Sequence, residues 1–281
     1  MNNPLPKTIN IKSPDTVRCL SYLVDFKNRV EPMTAQHKQE FVATMEELWT
    51  FLTSIEDNRV VIEIQDDERF SAIQKSLFKK WHEYISLTET GVAEKFIAAK
   101  NLNENSNFSA LSEEDYTSVN QELSLLNQTL TGLIVAMVGC GSFPETLMEI
   151  YKNNHSIKEA IGIEERSEVL KLASEVIAKV FPDAKNIKIR TSSAESLDYD
   201  DIDVIFLANG LINKETIMRK IYDTAKNDVK ILARNPILMG KLLYEDLHTL
   251  PSIQSFVVCG SVRASKLSET ILLKKRSGED I

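Results

Sequence analysis

Glycine is nearly missing from the first 128 residues: of nine glycines in the 281-residue chain, only Gly91 falls there. That argues against a tightly turned sheet in this part. Cysteine is scarce too. Cys19, Cys140 and Cys259 are far apart and odd in number, which favours a reducing cytoplasm over a disulfide framework and excludes a cysteine-rich zinc site. The four histidines, His37, His82, His155 and His248, show no paired ligand spacing, so no metal site is expected. Basic charge is in deficit, with 33 Lys and Arg against 41 Asp and Glu and a net charge of −8. A nucleic-acid partner is therefore not expected, because its phosphates would be repelled. No apolar run approaches the roughly 18–20 residues a membrane span needs, so no membrane partner is expected either. The opening "MNNPLPKTINIKSPD" has no apolar core of a signal peptide.

What is there changes style near residue 128. Before it, apolar residues recur at helical spacing. In "TAQHKQEFVATMEELWTFLTSIED" (34–57), Phe41, Met45, Leu48, Trp49 and Leu52 share one face. Further helices are expected over 67–87 and 89–102, and from Ser112, an N-cap with Asp115 three residues on. From Leu133 short apolar, β-rich runs alternate with helical stretches: "LIVAMVG", "AIGIEE", "NIKIRT", "DVIFLA", "VKILAR", "SFVVCGS" and "TILLKK". The first five read as parallel strands buried on both faces and separated by helices, the last two as an antiparallel pair. The expected fold class is α/β: an all-helical N-terminal domain (1–128) and a Rossmann-like, seven-stranded methyltransferase-type domain (129–281).

In such a sheet the ligand lies at the carboxyl ends of the strands. The first strand–helix turn is "VGCGSFPE". Gly139 and Gly141 allow close backbone approach, Phe143 follows, and Pro144 suits a first helical turn. Cys140 between the glycines reads as a small side chain. Glu164, about 20 residues on at a strand end, can accept hydrogen bonds from ribose hydroxyls. Ala194 and Glu195 in "TSSAESLDY" fit an adenine edge, and Ala208, Asn209 and Gly210 in "FLANG" leave space beside a ligand. The third glycine of a dinucleotide site is absent, and so is a Walker lysine motif. A nucleoside without phosphates fits better, with S-adenosylmethionine the leading choice.

Three stretches, "VAMVGCGSFPETLMEIY", "IDVIFLANGLINKETIMRKI" and "ILARNPILMGKLLYEDL", resemble consecutive blocks of the nicotianamine synthase-like family. The resemblance runs over roughly residues 80–250 and includes the proline in the glycine loop, the "FLA" segment, Arg234 and the Leu242-Leu243-Tyr244 element. Its bacterial members include aminobutanoyltransferases that make staphylopine-type opine metallophores. The resemblance implies a helical domain capping a Rossmann-like one, with S-adenosylmethionine donating its aminobutyrate arm rather than its methyl. Glu245 follows Tyr244 where plant members carry proline, and "RNPILMG" replaces their "RSAHG"-like run, departures that weigh against plant-type repeated condensation and leave the number of transfers open.

The same resemblance supplies the expected chemical residues. Glu89 and Glu94 in "LTETGVAEKFIAAK" resemble the family's glutamate-rich helix, in which one glutamate faces the substrate, and the choice between them stays open. "EEDYTSVNQEL" points to Tyr116, with Glu122 behind it. Arg234 is read either as binding a carboxylate bidentately or as a strand-end salt bridge, and Tyr244 as substrate-binding. His82, beside Trp81 and Tyr84, is weighed as a base, and the reading as a surface or otherwise satisfied histidine is preferred. The expected partners are a small amino acid, with histidine favoured, a second copy of the chain through the helical face around Trp49, and a downstream opine dehydrogenase. An ordinary small-molecule methyltransferase is the alternative, and a non-catalytic binding protein that kept the fold is the third possibility.

Overall fold

The computed structural model describes residues 12–34, 38–99 and 113–276, with the backbone alone for 113–118. The chain divides into two compact units, Met1–Lys80 and Trp81–Ile281.

The N-terminal unit is helical. Helix α1 (Pro14–Val30) starts where the Ser13 hydroxyl accepts from the Thr16 N–H at 3.2 Å, and Pro14 fills a position whose N–H is not needed. Helices α2 (Lys38–Thr53) and α3 (Asn58–Gln65) follow. Glu63 of α3 accepts from the Ser13 N–H at 2.9 Å and the Thr16 hydroxyl at 2.6 Å, joining the two helices at their ends. The four apolar residues expected on the inner face of α2, Phe41, Met45, Leu48 and Leu52, are fully buried, and Trp49 is half-buried.

Helix α4 (Phe70–Ala98) is a single element of 29 residues where the sequence suggested two. Gly91 does not interrupt it. Its φ is not in the left-handed region, and a Cβ there would meet nothing within 4 Å. A helical glycine costs only about 1 kcal/mol relative to alanine, which the burial of Ala93 and the packing of Phe96 beyond it outweigh. Helix α5 (Glu113–Ser124) lies where the sequence suggested, while its expected cap Ser112 lies outside the described residues.

The compact division falls after Lys80, inside α4, whereas composition changes near residue 128. Ala93, Val119, Leu126 and Leu130 are buried in the same apolar cluster as Val135 and Met137 of the first strand. The later half of α4 and α5 therefore belong with the sheet, although their composition resembles that of the helical unit.

All seven expected strands are present: β1 (Ile134–Val138), β2 (Glu159–Glu164), β3 (Ile187–Thr191), β4 (Val204–Leu207), β5 (Lys230–Pro236), β6 (Phe256–Arg263) and β7 (Ser268–Lys275). They form one sheet in the order β3-β2-β1-β4-β5-β7-β6. The first five are parallel, and β7 is antiparallel to both β5 and β6. Helices α6 (Glu145–Asn153), α7 (Ser167–Val180) and α8 (Lys214–Thr224) connect strands. One expectation fails: β3 and β4 are joined by turns, not a helix, and β3, at the sheet edge, is mostly exposed. β1 and β4 are buried almost throughout, as central strands should be. Strand order reverses between β1 and β4, so the crevice for a ligand opens at their carboxyl ends. No helix among the described residues is long and apolar enough to cross a membrane.

Candidate functional site

β1 leaves the sheet directly into Gly139-Cys140-Gly141. Both glycines are left-handed, with φ of +74° and +69°. Space demands them as well. A Cβ on Gly139 would stand 2.8 Å from Leu211 Cδ2, and one on Gly141 would collide with the Glu89 carboxylate. The Gly139 and Cys140 N–H groups donate to the Ile163 carbonyl at 3.0 and 3.2 Å, locking the turn against β2. Burial, then the nearby charges of Glu164 and Glu89, push the Cys140 thiol up, which keeps it a neutral, small filler. Ser142 is 1 % exposed, and its hydroxyl has no partner among the described residues. Pro144 stands one position earlier than expected, as the N-cap of α6, which begins at Glu145. Phe143 is buried, with its ring 5.3 Å from that of Phe96 in edge-to-face contact. It packs α4 against the loop.

α4 is the second wall. His82 Nε2 donates to the Gly210 carbonyl at 3.1 Å, beyond the end of β4. Ser86 Oγ accepts from Arg166 at 3.0 Å, beyond the end of β2. Glu89 abuts Gly141, beyond the end of β1. These positions are spaced four and three residues apart, the spacing of one helical face, and Phe96 extends the same face. Glu94 is exposed. Five residues from Glu89, it points about 140° away around the helix, so the structure brings only Glu89 of that pair to the glycine loop.

At the end of β4, Ala208, Asn209 and Gly210 form the opposite lip. A Cβ on Gly210 would meet nothing within 4 Å, so space is open there. Asn209 accepts from Lys214 Nζ at 3.3 Å. In the turn after β3, Ala194 is half-buried and Glu195 is exposed, accepting from Asn213 Nδ2 at 2.9 Å. At the end of β2, Glu164 is buried, and its Oε1 accepts from the backbone N–H and Nε of Arg166 at 3.2 and 3.0 Å. At β5, Arg234 holds Glu122 of α5 bidentately, at 2.7 and 2.9 Å, and donates to Thr146 Oγ1 at 3.1 Å. Thr270 completes the cluster with a 2.6 Å hydrogen bond to Glu122. Of the two readings of Arg234, the structure holds the salt bridge. Tyr244 rests edge-on to Trp81 and His82, at centroid distances of 6.2 and 6.4 Å. Tyr116 lies on α5, and its side chain lies outside the described residues.

The site is electrostatically tense. Desolvation raises the Glu89 carboxyl to about 7, against the lowering pull of Arg166, with Glu164 adding a like charge and the Ser142 N–H stabilising the anion. Glu89 retains some solvent-accessible surface, but dense protein around it strips most of its hydration. Tyr244 is pushed up to about 12, mainly by burial. Glu122 is also desolvated, yet the Arg234 charge and the hydrogen bonds from Arg234 and Thr270 outweigh that and hold it below the usual carboxylate range. One carboxylate is thus fixed as an anion, and a second is poised to take or give a proton near neutrality.

The structure therefore gathers Glu89, Gly139, Gly141, Glu164, Ala208, Asn209, Gly210, Arg234 and Tyr244 around the carboxyl ends of the strands. It leaves Glu94 outside and turns Phe143 inward. Ser86, Arg166 and Lys214 were not singled out from the sequence, and His82 was weighed as a base but preferred as a surface or satisfied histidine. The helical spacing of His82, Ser86 and Glu89 was the available signal. For Lys214 there was none, because a lysine opening a helix reads as solvated.

No protein-family model matches the sequence, and no curated protein matches it. Solved structures do match in fold. A glutamate-to-glutamine mutant of MtNAS, a nicotianamine synthase, in complex with S-adenosylmethionine superposes with a TM-score of 0.73 at 16% identity, covering 92% of this chain and 98% of that one. MtNAS in complex with MTA and tNA gives 0.73 at 17% identity, over 94% and 97%. Magnesium protoporphyrin IX methyltransferase from Synechocystis PCC 6803, with bound SAH, gives 0.52 at 12% identity, over 69% and 98%. The fold is nicotianamine synthase-like, with a methyltransferase-type sheet.

Proposed function

We propose that this protein transfers the 3-amino-3-carboxypropyl (aminobutanoyl) group of S-adenosylmethionine to the α-amine of a small amino acid, with histidine favoured. The reaction releases 5′-methylthioadenosine and serves the synthesis of a nicotianamine-like metallophore in the cytoplasm. The observation that carries this reading is Glu89, a carboxyl raised to about 7 and lodged against Gly141 of the glycine loop. Support for a nucleoside donor comes from the two left-handed glycines, the open lip at Ala208–Gly210, and Glu164, of which Arg166 engages only Oε1. Further support comes from MtNAS, solved with S-adenosylmethionine and with MTA and tNA. Its likeness extends over 92% or more of this chain, whereas that of the porphyrin methyltransferase covers 69%.

In this reading the amine nitrogen bonds to Cγ of the methionine arm. The Cγ–S bond breaks, and its electron pair leaves with the sulfur as methylthioadenosine. A sulfonium is already a good leaving group, so most of the protein's work is to set Cγ, rather than the methyl, in line with the amine. The acceptor arrives as an ammonium. Ionised Glu89 takes its proton, and a carboxylate titrating near the working pH suits that task. The family resemblance makes Tyr116 the partner of Glu89 in this step, and Tyr244 borders the amino-acid end. Arg234, held by Glu122, contributes its charge to that end rather than a bidentate grip on a carboxylate. An opine dehydrogenase is the expected next enzyme.

Incubation with S-adenosylmethionine and candidate amino acids, with mass spectrometry of the nucleoside product, tests the proposal. Methylthioadenosine with an aminobutanoyl conjugate is expected. S-adenosylhomocysteine as the sole nucleoside product would make the protein a methyltransferase and overturn it. Glu89→Gln should bind donor but lose roughly 100- to 10,000-fold in kcat.

A further inference from the structure

Lys214 is 1 % exposed, and burial lowers its ammonium to about 8, against the raising charges of Glu245 and Asp246. Among the described residues no carboxylate contacts Nζ directly. Instead its three N–H donors meet three acceptors: Asn209 Oδ1 at 3.3 Å, the Arg234 carbonyl at 3.4 Å and the Glu245 carbonyl at 3.1 Å. The Glu245 carboxylate sits alongside, accepting from the backbone N–H groups of Asn213 and Lys214 at 3.1 and 2.9 Å. Burying a cation is unfavourable, and an apolar side chain of similar length is often as stable or more so. Stability alone therefore does not explain a lysine here. Its three acceptors belong to the lip after β4, the end of β5 and the segment directly after Tyr244.

We propose that Lys214 is a positioning residue for the donor: it grips the Asn209 carboxamide by its oxygen, leaving the amide N–H2 to face an oxygen of the bound donor. The inference rests on the proposed S-adenosylmethionine reading. Asn209 is half-buried, and its Nδ2 has no partner among the described residues. An amide so held can present only a donor to the crevice, and it is fixed relative to Tyr244 and Arg234 by the same ammonium. Lys214 thus sets the recognition chemistry of the β4 lip without touching the ligand.

Two substitutions separate this role from plain packing. Lys214→Met removes the grip. Asn209→Asp keeps an oxygen partner for Lys214 but replaces the outward donor by an acceptor. S-adenosylmethionine affinity is measured by calorimetry on the folded full chain, alongside thermal unfolding. Each variant should weaken binding about tenfold, as expected for one hydrogen bond. Asn209→Asp should do so without loss of thermal stability. The double variant should bind no more weakly than the weaker single one, because both act through one amide. Wild-type affinity in Asn209→Asp, or losses that multiply in the double variant, would overturn the inference even if Lys214→Met failed to fold. Failure of the unaltered protein to bind S-adenosylmethionine would instead sink the functional reading on which it rests.

Discussion

Glu122 and Glu89 are two glutamates of one unit with opposite fates, and the neighbours of each decide which. Glu122 is wholly buried but faces a bidentate guanidinium and a hydroxyl. Glu89 is largely desolvated against a glycine, and the charge of Arg166 and one backbone N–H only partly offset that desolvation and the nearby Glu164 carboxylate. Removing the carboxylate that compensates a buried charge is strongly destabilising. Glu122→Ala is therefore expected to lower unfolding free energy by about 3 kcal/mol or more, measured by urea denaturation. A change under about 1 kcal/mol would mean that the pair behaves as an exposed one. Neither partner choice was legible beforehand. Arg234 and Glu122 are 112 residues apart, and the sequence left both a salt bridge and a ligand contact open for that arginine.

At the scale of elements, α4 is the informative case. Its amphipathic pattern was readable, but its continuity was not: the sequence suggested a break at residue 88, between stretches 67–87 and 89–102, and the helix runs through it. Tertiary packing overrode that suggestion. Gly91→Ala should therefore stabilise the protein by about 0.5–1 kcal/mol, since the Cβ meets nothing and the helix gains propensity. A rise in the thermal midpoint is the expected reading, and a fall would indicate a break in α4 at that point. Continuity also has a chemical consequence. One rigid helix reaches the ends of β4, β2 and β1 through His82, Ser86 and Glu89, so these three contacts cannot shift independently. The strands were legible for the opposite reason: uninterrupted apolar runs such as "VIFL" can be satisfied only inside a sheet covered on both faces. The β3–β4 connection was misread as helical, because the sheet edge needs no helix over an exposed strand.

For the whole molecule, stability should vary with pH through two limbs of opposite sign. Glu122, Asp203, Glu159 and Glu47 are held below the usual carboxylate range. Their contribution is present above the unfolded values and is lost as pH falls through the folded ones. Glu89 works in reverse. Its folded value of about 7 lies above the ordinary 4.5, so stability is greatest below 4.5 and declines as pH rises toward 7. That gap corresponds to a cost on the order of 3 kcal/mol at pH 8. Urea midpoints from pH 3 to 8 should show both limbs, and Glu89→Gln should remove only the upper one, becoming more stable than the parent at pH 8. An unchanged upper limb would mean that Glu89 is not the desolvated carboxyl. A variant that gains stability while losing turnover is the usual mark of a group strained for function.

The sequence alone determined the sheet, its strands and the glycine turn, because hydrophobic periodicity and the left-handed preference of glycine act over a few residues and need no partner. It also narrowed the ligand, since the missing third glycine and phosphate-binding lysine are local facts about one loop. Only the tertiary structure decided which glutamate meets that loop, which carboxylate claims Arg234, and that Lys214 lies buried beneath the β4 lip. Those outcomes depend on desolvation and on charges brought together from distant positions, and both come into being only when the chain folds.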